Sequence, residues 1–271
     1  MPEQQPGTRG PGTAPVPLPV FAPGGPHAAP LGRRILRHGR YETAMMLGNG
    51  EQLVLAVILP LLALFGLVFT DVLDGVAEHR IDAAAPGVLA LCVMSTAFTG
   101  QGISTGFDRR YGVLRFLATT PLGRAGLIFG KAIAVLAVLV IQIVLIGGTA
   151  LLLGWRPAPA GIPIAVVLLV LGAAAFTSLG LLIAGTVRPE ATLAITNLAW
   201  ILLAAGGGIL IPGSRLPGVL ADVVAVLPSS ALGDALRDGL IGGTMNLGAC
   251  LILLAWTIAA GLAATRWFKW N

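Results

Sequence analysis

Six stretches of nearly continuous apolar residues divide this chain: Gln52 to Thr70, Ala85 to Gly106, Ala132 to Gly154, Gly161 to Val187, Ala191 to Ile211 and Thr244 to Thr265. Each is long enough to cross a hydrocarbon layer about 30 Å thick, which takes roughly 20 helical residues. None shows the apolar–polar alternation of a barrel strand, and in lipid such a segment satisfies its backbone groups only as a helix. The pattern predicts an all-α membrane protein with six transmembrane helices. Between the second and third spans the periodicity changes. Phe107, Tyr111, Leu114 and Ala118 recur at i, i+4, i+7 and i+11, which predicts a short amphipathic helix with Asp108 as its N-cap and Pro121 as its stop. Ahead of the first span, Arg33, Arg34, Arg37 and Arg40 interleave with Leu31, Ile35 and Leu36, followed by Met45 and Met46. That segment suits a helix lying among anionic head groups, or a basic flank that only fixes topology. The chain thus divides into a Pro/Gly-rich arm (1–31), a basic amphipathic segment (32–51) and a six-helix domain (52–267).

Composition agrees with a membrane solvent: 56% of residues are hydrophobic, 11% are charged and the mean hydropathy is +0.88. A water-soluble domain needs more polar surface than that. Charge sets the expected orientation, because Lys and Arg collect on the cytoplasmic side. With the N-terminus inside, the inner segments hold Arg33, Arg34, Arg37, Arg40, Arg109, Arg110, Arg115, Arg124, Lys131, Arg188, Arg266 and Lys269. The outer segments hold only Arg80, Arg156, Arg215 and Arg237. Both termini are therefore expected in the cytoplasm. The pI near 10.0 reads as topology and not as nucleic-acid binding, since the basic residues form no contiguous domain. Nine prolines fall within the first thirty residues and no apolar core precedes the first span, so the arm is expected to be a disordered tail, not a cleavable signal.

Candidate chemistry is sparse. Cys92 and Cys250 both fall within spans and read as small apolar residues. His27, His38 and His79 are scattered outside the spans, and no metal-site spacing, HExxH or GxSxG occurs. Gly126-Leu-Ile-Phe-Gly130-Lys131-Ala132 is too short for a phosphate-binding loop and lacks the hydroxyl residue after the lysine. Lys131 is instead expected to snorkel to the cytoplasmic surface. The acidic stretch Asp71 to Asp82 has no ligand spacing and reads as a solvated outer loop. Polar residues within the spans are functional suspects by default. Ser95, Thr99, Gln142, Thr196 and Asn197 are the candidates for a translocation path, with helix packing as the competing role, particularly where Gly102 and Gly106 stand at GxxxG spacing. None of these polar groups is ionisable, which argues against an ion-coupled carrier.

The run Asp108-Arg-Arg-Tyr-Gly-Val-Leu-Arg-Phe-Leu-Ala-Thr-Thr-Pro-Leu-Gly-Arg124 resembles the cytoplasmic segment of ABC-2 type transporter permeases. That segment carries an acidic-Arg pair, Gly-x-Leu, Thr-Pro-Leu and a basic residue. Arg188-Pro-Glu190, Ile211-Pro212, Leu216-Pro217 and Leu227-Pro-Ser-Ser-Ala-Leu-Gly-Asp-Ala-Leu-Arg237 follow in the family's order, extending the likeness over about Gly32 to Trp267. The resemblance implies the membrane half of an ABC exporter, pairing with a second permease subunit as a homodimer or heterodimer and with two copies of a separate ATPase. ATP and magnesium then belong to the partner, and this chain carries no cofactor or metal. Phe107, Asp108, Arg109, Arg110, Tyr111, Leu114 and Arg115 become the ATPase-coupling helix, running to Thr119. The stretch between the fifth and sixth spans becomes a broken helical hairpin, which Pro212, Pro217, Pro228 and the stripe Leu232, Leu236, Leu240 suit. The first and fifth spans become the dimer contact, with Gly206 to Gly208 allowing close approach. An apolar path without buried charge suits an amphipathic or hydrophobic cargo such as a drug, antibiotic or lipid. With Trp200 and Trp256 the chief aromatic residues in the spans, a polysaccharide is the weaker candidate. The expected location is a bacterial plasma membrane. Two other classes stay open on the residues: a membrane-embedded lipid-modifying enzyme, and an assembly or regulatory subunit that binds an ATPase without moving cargo.

Overall fold

A computed structural model describes residues 29–267 apart from Thr119 and Pro121, with the side chains of 51–55, 118, 124 and 125 excluded. The arm before residue 29, the expected stop at Pro121, the expected end at Thr119 and Lys269 lie outside the described residues. Among the described residues every regular element is helical. The helices are α1 (Leu31–Gly48), α2 (Gly50–Phe69), α3 (Arg80–Arg110), α4 (Val113–Ala118), α5 (Gly126–Leu152), α6 (Gly161–Thr186), α7 (Pro189–Gly206), α8 (Val219–Ala225), α9 (Pro228–Gly242) and α10 (Leu247–Trp267). Of these, α3, α5, α6, α7 and α10 are long and apolar enough to span a membrane, and α2 supplies a shorter apolar helix over Ala56–Phe69. The pair α8 and α9 is bent by 83° and reads either as a broken span or as a re-entrant loop.

The core lies around α3, whose apolar window is 89% buried against 11% for α7. Small residues make this possible. Ala83, Ala84, Ala85, Gly87 and Ala90 let neighbouring backbones approach closely. At Gly102 a Cβ would stand 3.0 Å from Thr196 Cγ2 and 3.4 Å from the Gly180 carbonyl, and one at Gly180 would meet the Phe98 carbonyl at 2.7 Å. The Gly102 spacing noted in the sequence is thus the place where α3 crosses α6 and α7. Leu232, Leu236 and Leu240 form one buried face of α9, which packs against α3 and α6, while α10 lies along α6.

Two of the spans contain π-helical turns, at Met94–Gly100 in α3 and Ile143–Gly147 in α5. Thr96, in the first, donates to Gln142 Oε1 at 2.8 Å, just before the second, and Gln142 Nε2 donates to the Ala56 carbonyl at 2.7 Å. One polar chain therefore joins three apolar helices, α2, α3 and α5, where an unpaired buried group is costly.

Loops sort to two ends. At one, Arg80 holds Asp71 and Asp74, Arg215 donates to the Asp74 carbonyl, and the Arg156 amide stands 3.5 Å from Asp82. The acidic stretch Asp71 to Asp82 is therefore clamped, not simply solvated. At the other end lie α1, the terminus of α3, α4 and the start of α7. Helix boundaries follow the apolar stretches with two informative differences. The third apolar stretch begins early because α5 continues back to Gly126, and the fifth stops at Gly206, where Gly207 and Gly208 turn the chain beneath α9.

Candidate functional site

The segment expected to be one amphipathic helix from Phe107 is two pieces. Phe107 to Arg110 continue α3, so Asp108 is not an N-cap but a residue in the last turn of a 31-residue helix. The chain reverses at Tyr111–Gly112, where Gly112 adopts φ +74°, a conformation that suits glycine. Helix α4 then begins at Val113 with Leu114 fully buried. Because the i, i+4, i+7 pattern runs through this turn, periodicity alone could not separate the pieces.

The resulting knuckle presents a defined surface. Tyr111 and Phe116 are 71% and 70% exposed, and Phe107 and Val113 are about half as open at 41% and 40%. The Phe107 and Tyr111 rings stack with centroids 6.2 Å apart, and the Arg110 guanidinium lies 5.9 Å above the Tyr111 ring. Arg110 Nε also stands 3.8 Å from Glu190 Oε1 at the start of α7, and Arg115 is exposed. Arg109 points the other way. Its Nη1 donates to the carbonyls of Ala184 at 3.1 Å and Val187 at 2.9 Å, so it satisfies carbonyls left open at the end of α6. Of the seven residues expected here, Arg110, Tyr111, Arg115 and Phe107 share the outer surface. Leu114, Arg109 and Asp108 hold it in place from beneath.

The candidate path residues do not converge. Gln142 and Thr196 are buried within helix contacts, with Thr196 donating to its own helix at Thr192. Ser95 accepts from Trp200 Nε1 at 2.9 Å. The Thr99 hydroxyl is buried with no hydrogen-bond partner, as are Thr105 Oγ1 and Gln101 Oε1 on the same helix. Asn197 alone is exposed, on a face of α7 that also exposes Leu193, Leu198, Ile201 and Leu202. Gly207 and Gly208 are buried against Ser229 and Ser230 within this chain, so of that glycine cluster only Gly206 is open to a partner.

Two buried cations escaped the sequence reading. Lys131 is fully buried and does not snorkel. Its Nζ donates to Asp108 Oδ2 at 2.9 Å and to Glu42 Oε2 at 3.3 Å, joining α5 to α3 and α1. His38 Nε2 stands 3.4 Å from Glu42 Oε1 without hydrogen-bond alignment. Burial, reinforced by the Lys131 ammonium, pushes that imidazole below the ordinary histidine range despite Glu42 and Asp108 nearby. The expectation that Lys131 snorkels is thereby corrected. The second cation, Arg237, is 5% exposed. It donates to Asp234 and to the carbonyls of Gly208, Ile209 and Leu210, gripping the unwound end of α7 from α9. The available signals were slight: a single Lys at the edge of an apolar span, and a single Glu in an otherwise basic helix. Among the described residues no group of three or more His, Cys, Asp or Glu is placed to hold a metal ion.

Comparison with known proteins agrees with the motifs. The chain is 26% identical over 220 residues to the protein named "Putative transport permease YvfS" of Bacillus subtilis (strain 168), covering 79% of this chain and 89% of that protein. The sequence profile described as ABC-2 type transporter matches residues 39–241, from the middle of α1 to the end of α9. The match covers the knuckle, the α3 core and the Arg237 clasp together, and on it the chain belongs to the ABC-2 type transporter family, as a membrane permease.

Proposed function

We propose that this permease is the membrane subunit of an ABC exporter, driven by ATP hydrolysis on a separate ATPase that docks on the Tyr111–Arg115 knuckle. The observation that supports this reading most is the knuckle itself. It is an aromatic and basic protrusion at the loop-poor end of the bundle, braced by buried Leu114 and by the Arg109 contact to α6. Exposed aromatic and Arg side chains on a rigid base are what a docking surface requires. In this reading the basic end faces the cytoplasm, with both termini inside and the clamped Arg80–Asp74 loop outside. The location follows as a bacterial plasma membrane.

A second permease subunit is proposed to pack on α2 and α7. Both helices turn apolar faces outward: Ile58, Leu62 and Phe65 on one, and Leu198, Ile201 and Leu202 around Asn197 on the other. A partner amide or hydroxyl would satisfy Asn197 where lipid cannot. The cargo is proposed to be amphipathic or hydrophobic, a drug, antibiotic or lipid, because the spans offer Ala, Leu, Val and Gly at their surfaces and keep their charges in paired clusters at the ends.

Motion of the knuckle would drive the spans, since Arg109 and Arg110 tie it directly to α6 and α7. ATP can shift that equilibrium only through its different affinity for two arrangements of the ATPase pair. The test is purification from the native membrane of wild type beside an Arg115→Glu/Phe116→Ala variant. The wild type should bring down vanadate-sensitive ATP hydrolysis, and the variant less than a tenth of it at equal yield. Equal activity in both preparations would remove the docking assignment. A folded wild type without ATP hydrolysis would favour the lipid-modifying enzyme.

A further inference from the structure

We infer that Glu42, Lys131 and Asp108 form a latch through which α1 and the knuckle constrain each other, with Lys131 as the shared positioning residue. The inference rests on the proposed coupling role for its meaning in transport, and on geometry alone for its existence.

Three elements meet at one ammonium group. Asp108 stands three residues before the Tyr111–Gly112 turn, so whatever moves the knuckle pulls on Asp108. Glu42 projects from α1, which packs along α5 through Gly39 against Ile133 and Met46 with Ala134 and Val138, and whose Met46 Sδ also accepts from Gln101 Nε2 on α3. His38 lies against Gly130, where a Cβ would collide with the imidazole, so α1 and α5 are in close register beside the charges. Helix α1 packs closely along α5 and outside the main core, so Glu42 sits where α1 meets the charge on α5.

Lys131 is fully buried, with these two carboxylates as its ion-pair partners. The Asp108 contact is the shorter, 2.9 Å against 3.3 Å to Glu42. When one carboxylate withdraws, the other carries the whole ion pair and tightens. If the knuckle shifts, Lys131 turns toward Glu42 and α1 is held; if α1 lifts, Asp108 is held and the knuckle is fixed. A buried cation with two competing anions on separate elements has two discrete arrangements, which is what carries coupling between sites.

The test is hydrogen exchange of the full chain in lipid nanodiscs, read peptide by peptide, for wild type, Glu42→Gln, Asp108→Asn and the neutral triple variant E42Q/D108N/K131M. A merely local stabilising role would speed exchange only in the helix that carries the substitution. The latch predicts reciprocal effects: Glu42→Gln changes exchange at least threefold in Val113–Ala118, and Asp108→Asn does so in Leu31–Gly48. The triple variant buries no unpaired charge, so α3 and α5 should stay protected while α1 exchanges at least tenfold faster. Effects confined to the substituted helix, or a triple variant with wild-type protection of α1, would overturn the inference. The same four preparations are then assayed for co-purifying vanadate-sensitive ATP hydrolysis. Glu42→Gln should retain the ATPase and lower kcat at least threefold with KM for ATP unchanged. Unchanged kcat would confine the latch to stability and overturn its part in coupling. Absence of the ATPase from wild type would defeat the permease–ATPase reading and leave the exchange result to judge the latch.

Discussion

Buried charge in this chain is placed by individual side chains, each with a partner whose loss is costly. Lys131→Met leaves Glu42 and Asp108 without their common cation, and breaking a buried pair from one side costs about 3–5 kcal/mol. The variant should show a sharply lower thermal midpoint in detergent, with recovery when both carboxylates are also neutralised. Gln142→Leu removes the link between Thr96 and the Ala56 carbonyl, for a loss of about 1–2 kcal/mol. Unfolding titrations in mixed micelles would measure it, and an unchanged midpoint would mean that both groups find other partners. Arg109→Glu should destabilise through the open end of α6, whereas Arg115→Glu, on an exposed residue, should leave the midpoint unchanged. Outside the spans, the Arg80 guanidinium hydrogen-bonded to Asp74 holds that carboxyl below the ordinary carboxylate range. A depressed pKa stabilises above the unfolded value and loses its effect as pH falls through the folded one. Proteolysis of the Asp71–Glu78 loop in reconstituted protein should therefore be flat from neutral pH downward and rise only below about pH 4. These residue pairings were the least legible part of the chain. Lys131 and Arg237 read alike in sequence whether they snorkel or turn inward, and only the helices packed around them decide.

At the scale of elements, sequence and structure correspond closely where one physical rule dominates. Five of the six continuous apolar runs correspond to helices of spanning length and the first to a shorter apolar helix, because in lipid backbone pairing leaves no alternative to helix. The departures have specific causes. Gly112 breaks a periodicity that otherwise continues unbroken, since a left-handed glycine interrupts the backbone without changing the spacing of apolar side chains. Helix α1 has an inward face, Gly39, Glu42 and Met46, that its exposed Leu36, Tyr41 and Met45 obscured in sequence. The α3–α6 crossing was suggested by Gly102 and is set by Gly180, a residue that nothing in the sequence singles out. Gly180→Val should meet the Phe98 carbonyl and prevent α6 from seating. Limited proteolysis would then find α6 and α10 cleaved together, because α10 packs along α6.

For the whole molecule, the two ends have different construction. One is braced by the Arg237 and Arg215 contacts to backbone carbonyls and by the clamped acidic loop, around the bent α8–α9 pair. The other carries the knuckle, the α1 latch and the α7 start, connected by ion pairs between elements. Such an asymmetry suits a permease whose moving input lies at one end. The family was legible because its motifs sit where the backbone turns, at Tyr111–Gly112 and at Leu227–Pro228, and those turns depend on residue type. Cargo and path were not legible: the polar residues inside the spans mostly hold helices together, and four of the five candidates pack within the chain. The most direct measurement is photo-crosslinking in native membranes from a benzophenone amino acid placed at Tyr111, with Leu152, 90% exposed at the opposite end of the bundle, as the control. The account predicts a product from position 111 that contains an ATP-binding cassette polypeptide, and none from position 152. Labelling of that polypeptide from neither position, or equally from both, would contradict it.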